Sequence, residues 1–410
     1  MILYQIVMAL ALVVTLAHQA LRGAKGAVAE RLGFGPAPAP GVGARPGPRL
    51  WLHAASVGEV TSARWVLEAV LTARPGLQVL VTTNTATGRE RVRAWALPGV
   101  QAALAPFDSA GAAARLLDRW QPQALVVVEN ELWPARMRAC DNRGVPVLVI
   151  GARMSARSAA RWQMLNGLMR RMLGRIDWLS AQDAESRARF LALGLPDAAA
   201  GPVMALKSLG HGQDTVLSFQ ALGPRATVLL AASTHEEEEA LILDAFAAQG
   251  RFAHLILAPR HPRRGDEVAA LLAARGIDAA RRSKGDSPRP SARVFLADTL
   301  GEMDQWYAMA GATVIGGTFA PKGGHTPWEP ARHGSAILHG PSVHNFAAPF
   351  GALDRAGGAV AVTDRASLAV ALQGLDAAAQ ARCAAVADEV LAPEGDGAEI
   401  VAALLQAVKG

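Results

Sequence analysis

Several polar runs follow apolar runs along this chain, and they hold residue types suited to acid–base and anion chemistry. Ser56-Val57-Gly58-Glu59 comes directly after residues 50–55. A carboxylate beside a small-residue and Gly turn suits proton removal from an attacking hydroxyl. It equally suits complementing a helix dipole. Thr82-Thr83-Asn84-Thr85-Ala86-Thr87-Gly88 closes the run 78–83. Its hydroxyls can bind sugar hydroxyls or cap the next helix. Glu129-Asn130-Glu131-Leu132-Trp133-Pro134 closes the run 124–129. A carboxylate at a buried strand end is costly unless paired. Trp133 offers an apolar face to a sugar or an acyl chain, or simply packs in the core. Gly151-Ala152-Arg153-Met154-Ser155 places Arg153 where a guanidinium fork can pair with an anion. Arg157, Arg161, Arg170, Arg171 and Arg175 then make a basic stretch that faces either anionic lipid or solvent.

The second half repeats the pattern with different chemistry. Ser233-Thr234-His235 precedes four Glu, residues 236–239. Pro259-Arg260-His261-Pro262, Asp298-Thr299-Leu300-Gly301-Glu302-Met303 and Gly316-Gly317 each follow an apolar run. So does Gly323-Gly324-His325-Thr326-Pro327-Trp328-Glu329-Pro330. Gly lets a phosphate approach the backbone, Arg neutralises it, and Glu can accept two ribose hydroxyls. The combination fits a nucleotide.

These runs need a scaffold that brings them to one edge. At 410 residues with 51% hydrophobic and 19% charged residues, the chain is too long for one core and too apolar for disorder. Strand patterns at 50–55, 78–83, 124–129, 145–151 and 178–182 alternate with helical ones such as 63–73, 110–120 and 159–173. The alternation restarts with strands at 226–232, 252–259, 293–297, 313–317 and 336–338. An α/β fold follows, with two doubly wound Rossmann-like domains at 50–207 and 226–410, joined by a connector at 208–225. Ligands of such sheets bind beyond the carboxyl ends of the strands, and the cleft faced by two domains is the expected site.

Residues 1–21 carry no Asp, Glu, Lys or Arg and are mostly apolar, with Arg22, Lys25 and Arg31 after them. That charge placement predicts an uncleaved membrane anchor with the rest of the chain in the cytoplasm. Residues 22–49, with a Pro/Gly-rich run at 35–48, read as a linker. The net charge of +6 permits an acidic substrate or an anionic membrane. No basic run is interleaved with aromatics, so no nucleic acid is expected. Cys140 and Cys383 are the only cysteines and are far apart. There is no Gly-x-Gly-x-x-Gly after the first strand, no phosphate-loop Lys, no Gly-x-Ser-x-Gly and no His-Glu-x-x-His. A dehydrogenase, a phosphate-loop ATPase, a serine hydrolase and a zinc hydrolase are thereby disfavoured.

Taken together, the runs at 53–60, 82–92, 129–134, 151–160, 232–237, 259–262, 298–302 and 316–330, with Gly340-Pro341 and Asn345-Phe346, resemble one family. They are similar to the transferases that move 3-deoxy-D-manno-octulosonic acid (Kdo) from CMP-Kdo to a lipid A precursor in lipopolysaccharide synthesis. The resemblance spans about residues 50–350. It implies a GT-B glycosyltransferase, inverting and metal-independent, without a cofactor beyond the CMP-Kdo substrate. It also implies anchorage at the inner membrane, facing the cytoplasm, with the lipid acceptor bound by the first domain and CMP by the second. Glu59 would then be the general base, with Glu129 and Lys207 stabilising the transition state. Pro259, Arg260, Gly301, Glu302, Met303, Thr326, Pro327, Trp328 and Glu329 would form the CMP site. Ser233, Thr234, Gly316 and Gly317 join them as donor-side candidates, and Ser56, Gly58, Thr82, Thr83 and Arg153 as acceptor-side candidates. This sequence departs from the family pattern at Met204-Ala205-Leu206-Lys207-Ser208-Leu209, at Thr326 and Trp328, and at Arg263. Those departures keep two alternatives in view: a different nucleotide-sugar donor, or a binding-only paralogue.

Overall fold

The computed structural model describes residues 25–38, 47–209, 217–392, 395 and 397–408. The expected anchor at 1–21 lies outside them. Among the described residues no helix is long and apolar enough to cross a membrane. The chain forms two units, Met1–Gly210 with Pro393–Gly410, and His211–Ala392.

Among the described residues each unit is built on a seven-stranded parallel sheet. The first contains β1 (Arg49–His53), β2 (Gln78–Thr83), β3 (Val100–Leu104), β4 (Ala124–Val128), β5 (Val147–Ala152), β6 (Trp178–Ala181) and β7 (Ala200–Val203), in the order β3-β2-β1-β4-β5-β6-β7. The second contains β8 (Val228–Thr234), β9 (His254–Pro259), β10 (Ala279–Arg281), β11 (Val294–Leu296), β12 (Ala312–Ile315), β13 (Ala336–His339) and β14 (Ala359–Ala361), in the order β10-β11-β9-β8-β12-β13-β14. Central strands are apolar on both faces because helices cover both sides. Along β4, Leu125 and Val127 enter one core while Ala124, Val126 and Val128 enter the other. Register then decides which strand ends are neighbours. Leu52 of β1 pairs with Val81 and Val126, so His53 stands beside Thr82 at the carboxyl edge.

The structure corrects three boundaries. Residues 393–410 do not belong to the second domain. Their helix Ala398–Ala407 buries Ile400 and Leu404 with Trp65, Val66, Leu67 and Val70 on the first sheet. Sequence adjacency is weaker than the need of an apolar stripe for a complementary face. The linker is not wholly extended. Residues Lys25–Arg31 form a helix whose Glu30 accepts the Leu104 N–H at 2.7 Å, and Arg31 donates to the Ala105 carbonyl at 3.0 Å. Those two polar side chains satisfy backbone groups at the end of the edge strand β3. The helix expected at 159–173 is two, Ala156–Gln163 and Asn166–Leu173. They break at Met164-Leu165, before Asn166-Gly167, where helix propensity is low.

The placement of the last helix has a direct test. Leu404→Ala should lower hydrogen-exchange protection of β4 by the cost of a buried Leu→Ala cavity, about 2–5 kcal/mol. Protection in β8 should stay unchanged. A loss in β8 with β4 untouched would return the helix to the second unit.

Candidate active site

β1 runs into the helix Val57–Ser62 through residues 54–56. Ser56 is the N-cap, and its hydroxyl oxygen accepts the Glu59 backbone N–H at 3.3 Å. The Glu59 carboxylate folds back over the same turn. It accepts the Ala55 N–H at 2.7 Å and the Ser56 hydroxyl at 3.1 Å. Gly58, between them, is exposed. Glu59 is half-buried, and that burial is the largest influence on its carboxyl, raising its pKa to about 7. The Ala55 N–H opposes the rise, and the nearby negative charges of Glu129 and Glu131 add to it. A carboxyl poised there exchanges a proton near neutrality, as a general base must.

Glu129 follows β4. Its N–H still bonds the Ile150 carbonyl at 2.9 Å, but its φ is +58°. A left-handed conformation is strained for a residue with a side chain. It occurs where the chain leaves the sheet. Lys207 Nζ stands 3.6 Å from Glu129 Oε1. Lys207 lies in the 3₁₀ turn Leu206–Leu209, which follows β7. Two contacts place that turn. Trp65 donates its indole N–H to the Leu206 carbonyl at 3.0 Å. The Leu206 side chain fills the space a Cβ on Gly151 would need, at 2.7 Å. Only glycine fits there. Glu59, Glu129 and Lys207 thus gather at the carboxyl ends of β1, β4 and β7.

Of the acceptor-side candidates, Ser56 and Gly58 lie in the Glu59 turn, and the Arg153 N–H donates to Asn130 Oδ1 at 3.0 Å. Thr82 and Thr83 need correction. Both are fully buried. Thr82 Oγ1 accepts the Trp51 indole N–H at 2.8 Å, and the Thr83 hydroxyl donates to the Thr85 carbonyl at 2.8 Å. Their hydroxyls build the framework and do not face an acceptor. Glu131, in contrast, emerges as a hub. Its Oε2 accepts the Asn84 amide at 2.9 Å and the Trp133 indole N–H at 2.6 Å, and lies 3.5 Å from His53 Nε2. In sequence it is only the second acid of Glu129-Asn130-Glu131. Its partners come from three different strand ends.

In the second unit the helix Glu236–Ala248 follows β8, with His235 as N-cap. Glu238 is fully buried and accepts three backbone N–H groups, from Gly317 at 2.7 Å, Phe319 at 2.9 Å and His235 at 3.0 Å. This carboxylate clamps the glycine loop after β12 to the helix start. Ser233 has a φ of +58°, and a Cβ on Gly316 would stand 2.3 Å from its carbonyl oxygen. The two loops therefore touch backbone to backbone. Thr234 is buried, donates to Glu239 at 3.0 Å, and its carbonyl accepts the Arg260 N–H at 2.9 Å. Glu239 also takes both Arg264 Nη groups at 2.8 Å. Two members of the four-Glu run, Glu238 and Glu239, are structural anchors.

The remaining donor-side residues sit on the same sheet edge. Glu302 accepts Arg282 Nε at 2.9 and 3.1 Å and the Thr299 hydroxyl. Gly301 precedes it, and Met303 opens the helix Met303–Met309. Asp298, fully shielded, accepts Arg281 Nε at 2.6 Å and Ser283 at 2.7 and 2.9 Å. Burial would raise its pKa, but those donors hold it below the usual range. Pro327 caps the helix Trp328–Arg332, and Trp328 meets Phe346 edge-on at 6.2 Å. Glu329 accepts the Tyr307 hydroxyl at 3.1 Å. The Thr326 hydroxyl oxygen is buried without a hydrogen-bond partner. Pro259, Arg260, Ser233, Thr234, Gly316, Gly317 and residues 301–303 and 326–329 all lie at or beyond carboxyl ends of β8, β9, β11 and β12.

Residues 26–208 match the family model described as 3-deoxy-D-manno-octulosonic-acid transferase. A 3-deoxy-D-manno-octulosonic acid transferase from Bordetella pertussis is 37% identical over 310 residues, covering 72% of this chain and 72% of the relative. One from Haemophilus influenzae is 33% identical over 328 residues, covering 78% of this chain and 76% of the relative. The crystal structure of a UDP-GlcNAc 2-epimerase from Neisseria meningitidis bound to UDP-GlcNAc shares the two-sheet fold. Its TM-score is 0.57 at 12% identity, over 87% of this chain and 99% of that one. From its motifs, its strand-end geometry and these relatives, the chain belongs to the 3-deoxy-D-manno-octulosonic acid transferase family.

Proposed function

We propose that this protein transfers Kdo from CMP-Kdo to a hydroxyl of a lipid A precursor in lipopolysaccharide core biosynthesis. Membership of the family carries the choice of donor and acceptor, and Glu59, a half-buried carboxyl at a strand end held by the Ala55 N–H and the Ser56 hydroxyl, carries the chemistry. In the proposed step, Glu59 takes the proton of the acceptor hydroxyl as that oxygen bonds to the Kdo anomeric carbon. The bond from that carbon to the donor phosphate breaks, and its electron pair leaves with CMP. One direct displacement inverts the anomeric centre. Positive charge building on the sugar is met by Glu129, and Lys207 balances the Kdo carboxylate or the departing phosphate. Arg260, with residues 301–303 and 326–329, would hold CMP in the second unit. Because Lys207 and Arg260 supply the positive charge, the proposed reaction needs no divalent cation.

The inner membrane, on its cytoplasmic face, is the proposed location. Two features support it: the uncharged residues 1–21, and the helix pair after β5. There Met164 and Leu165 are 79% and 56% exposed, among the exposed Arg157, Arg161, Arg170 and Arg171. Apolar side chains within a basic surround suit an anionic bilayer surface.

The reading is tested in detergent-solubilised full-length protein, with CMP-Kdo generated in situ and a tetraacylated lipid A precursor. Product mass should rise by Kdo units. Glu59→Gln should reduce kcat/KM by about 10²–10⁴-fold, the usual worth of a general base. Turnover near the wild-type rate would remove Glu59 from that role.

The pH dependence follows from the same group. Wild-type kcat/KM should climb as pH rises through about 7 and level off above it, where Glu59 is ionised. The linked stability has the opposite sign. A carboxyl raised above its unfolded value contributes stability below the unfolded pKa and loses it as pH rises through the folded one. E59Q should therefore melt no lower than wild type at pH 8. Finally, transfer should persist in EDTA. Loss of activity that added divalent cation restores would overturn the metal-independent mechanism.

A further inference from the structure

We propose that Glu131 is a positioning residue for the transfer reaction, fixing Asn84 and Trp133 as walls of the acceptor side and lending its negative charge to the surroundings of Glu59. The proposal rests on the reading of Glu59 as the base. The geometry is a chain of polar contacts ending on one oxygen. Trp51 Nε1 donates to Thr82 Oγ1 at 2.8 Å, and that hydroxyl stands 3.0 Å from His53 Nδ1. His53 Nε2 stands 3.5 Å from Glu131 Oε2, the oxygen that also accepts Asn84 and Trp133. His53 Nδ1 also stands 3.1 Å from the Thr82 carbonyl oxygen, so the ring faces an acceptor at each nitrogen.

The surroundings set the protonation of His53 and Glu131. His53 is fully buried, and burial first, then Arg136, brings its pKa down to about 4; Glu131 and Thr82 pull the other way. It is neutral at pH 7. Burial would raise the Glu131 pKa, but His53, Trp133 and Asn84 outweigh it and hold the carboxyl down at about 2. Glu131 is therefore charged whenever the protein is folded near neutral pH. Glu59 contacts Ala55 and Ser56, and the negative charges of Glu129 and Glu131 add to the burial that keeps it basic. A single side chain thus joins the ends of β1, β2 and β4. It anchors the Trp133 indole and the amide of Asn84, whose backbone N–H bonds the Ala55 carbonyl in the Glu59 turn at 3.0 Å.

Two substitutions separate charge from geometry. In Glu131→Gln the amide oxygen can occupy the Oε2 position and take the same Asn84 and Trp133 donors, so the charge is what is lost. Glu131→Ala removes the anchor. The Glu59 titration is read by carbon-13 NMR of full-length protein labelled at the glutamate δ-carbon, its resonance assigned by disappearance in E59Q. In E131Q the Glu59 midpoint should fall below its wild-type value while KM for the lipid acceptor holds. In E131A, KM for the acceptor should rise about tenfold, the worth of one charge-assisted hydrogen bond, with KM for CMP-Kdo unchanged. An unmoved midpoint in E131Q, or an unmoved acceptor KM in a folded E131A, would overturn the proposal. If E131A does not fold, the E131Q midpoint decides alone. Because the midpoint is read without turnover, it stands even if E59Q transfers at the wild-type rate; that result would remove the base and not the charge coupling.

Discussion

A carboxylate at the end of a buried parallel strand loses much of its water and stays charged only where the fold supplies N–H or O–H donors. This constraint organises both units. Glu238 receives three backbone N–H groups and ties a glycine loop to a helix start. Glu131 receives two side-chain N–H donors and faces His53. Asp298 receives a guanidinium and both donors of Ser283. Glu59 has only the Ala55 N–H and the Ser56 hydroxyl, with two like charges near it. Among the described carboxyl groups whose pKa moves, Glu59 is the one that moves up. A single physical cost therefore yields anchors where donors are plentiful and a carboxyl that holds its proton up to about pH 7 where they are scarce.

The anchors matter to chemistry because they hold loops, and loops carry the reactive groups. Glu238 sets Gly316 and Gly317 against Ser233, with the Gly317 N–H held by that carboxylate and the Gly316 N–H by the Ala232 carbonyl. Trp65 and Gly151 set Leu206, and Leu206 sets its neighbour Lys207 beside Glu129. In each case a rigid apolar strand ends in a polar loop whose shape is enforced by one buried contact. Catalytic groups need that rigidity, since a misplacement of about 1 Å costs orders of magnitude in rate.

The strands legible from sequence were the interior ones. All five expected in each half are present at the centre of their sheets. The four not anticipated, β3, β7, β10 and β14, are the four edges. An interior strand is buried on both faces and must be apolar throughout, which leaves a clear signature. An edge strand such as Ala200–Val203 or Ala279–Arg281 is short, partly exposed and free to carry Pro or Arg. The site followed the same rule. Glu59, Glu129 and the Gly316-Gly317 pair were visible because they follow readable strands. Glu131 was not distinguished from Glu129, nor Glu238 from its three neighbouring acids.

What the sequence determined alone was the alternation of apolar runs and polar loops, hence two parallel sheets with chemistry at their carboxyl edges, and the motifs that mark the family. Only the tertiary structure decided which acid is anchored and which is poised, that Thr82 and Thr83 are framework, and that the last helix returns to the first sheet. The reason is physical. Periodicity is a local property, written in neighbouring residues. The state of a carboxyl and the home of an apolar stripe depend on donors and surfaces far away in the chain, and only folding brings these together.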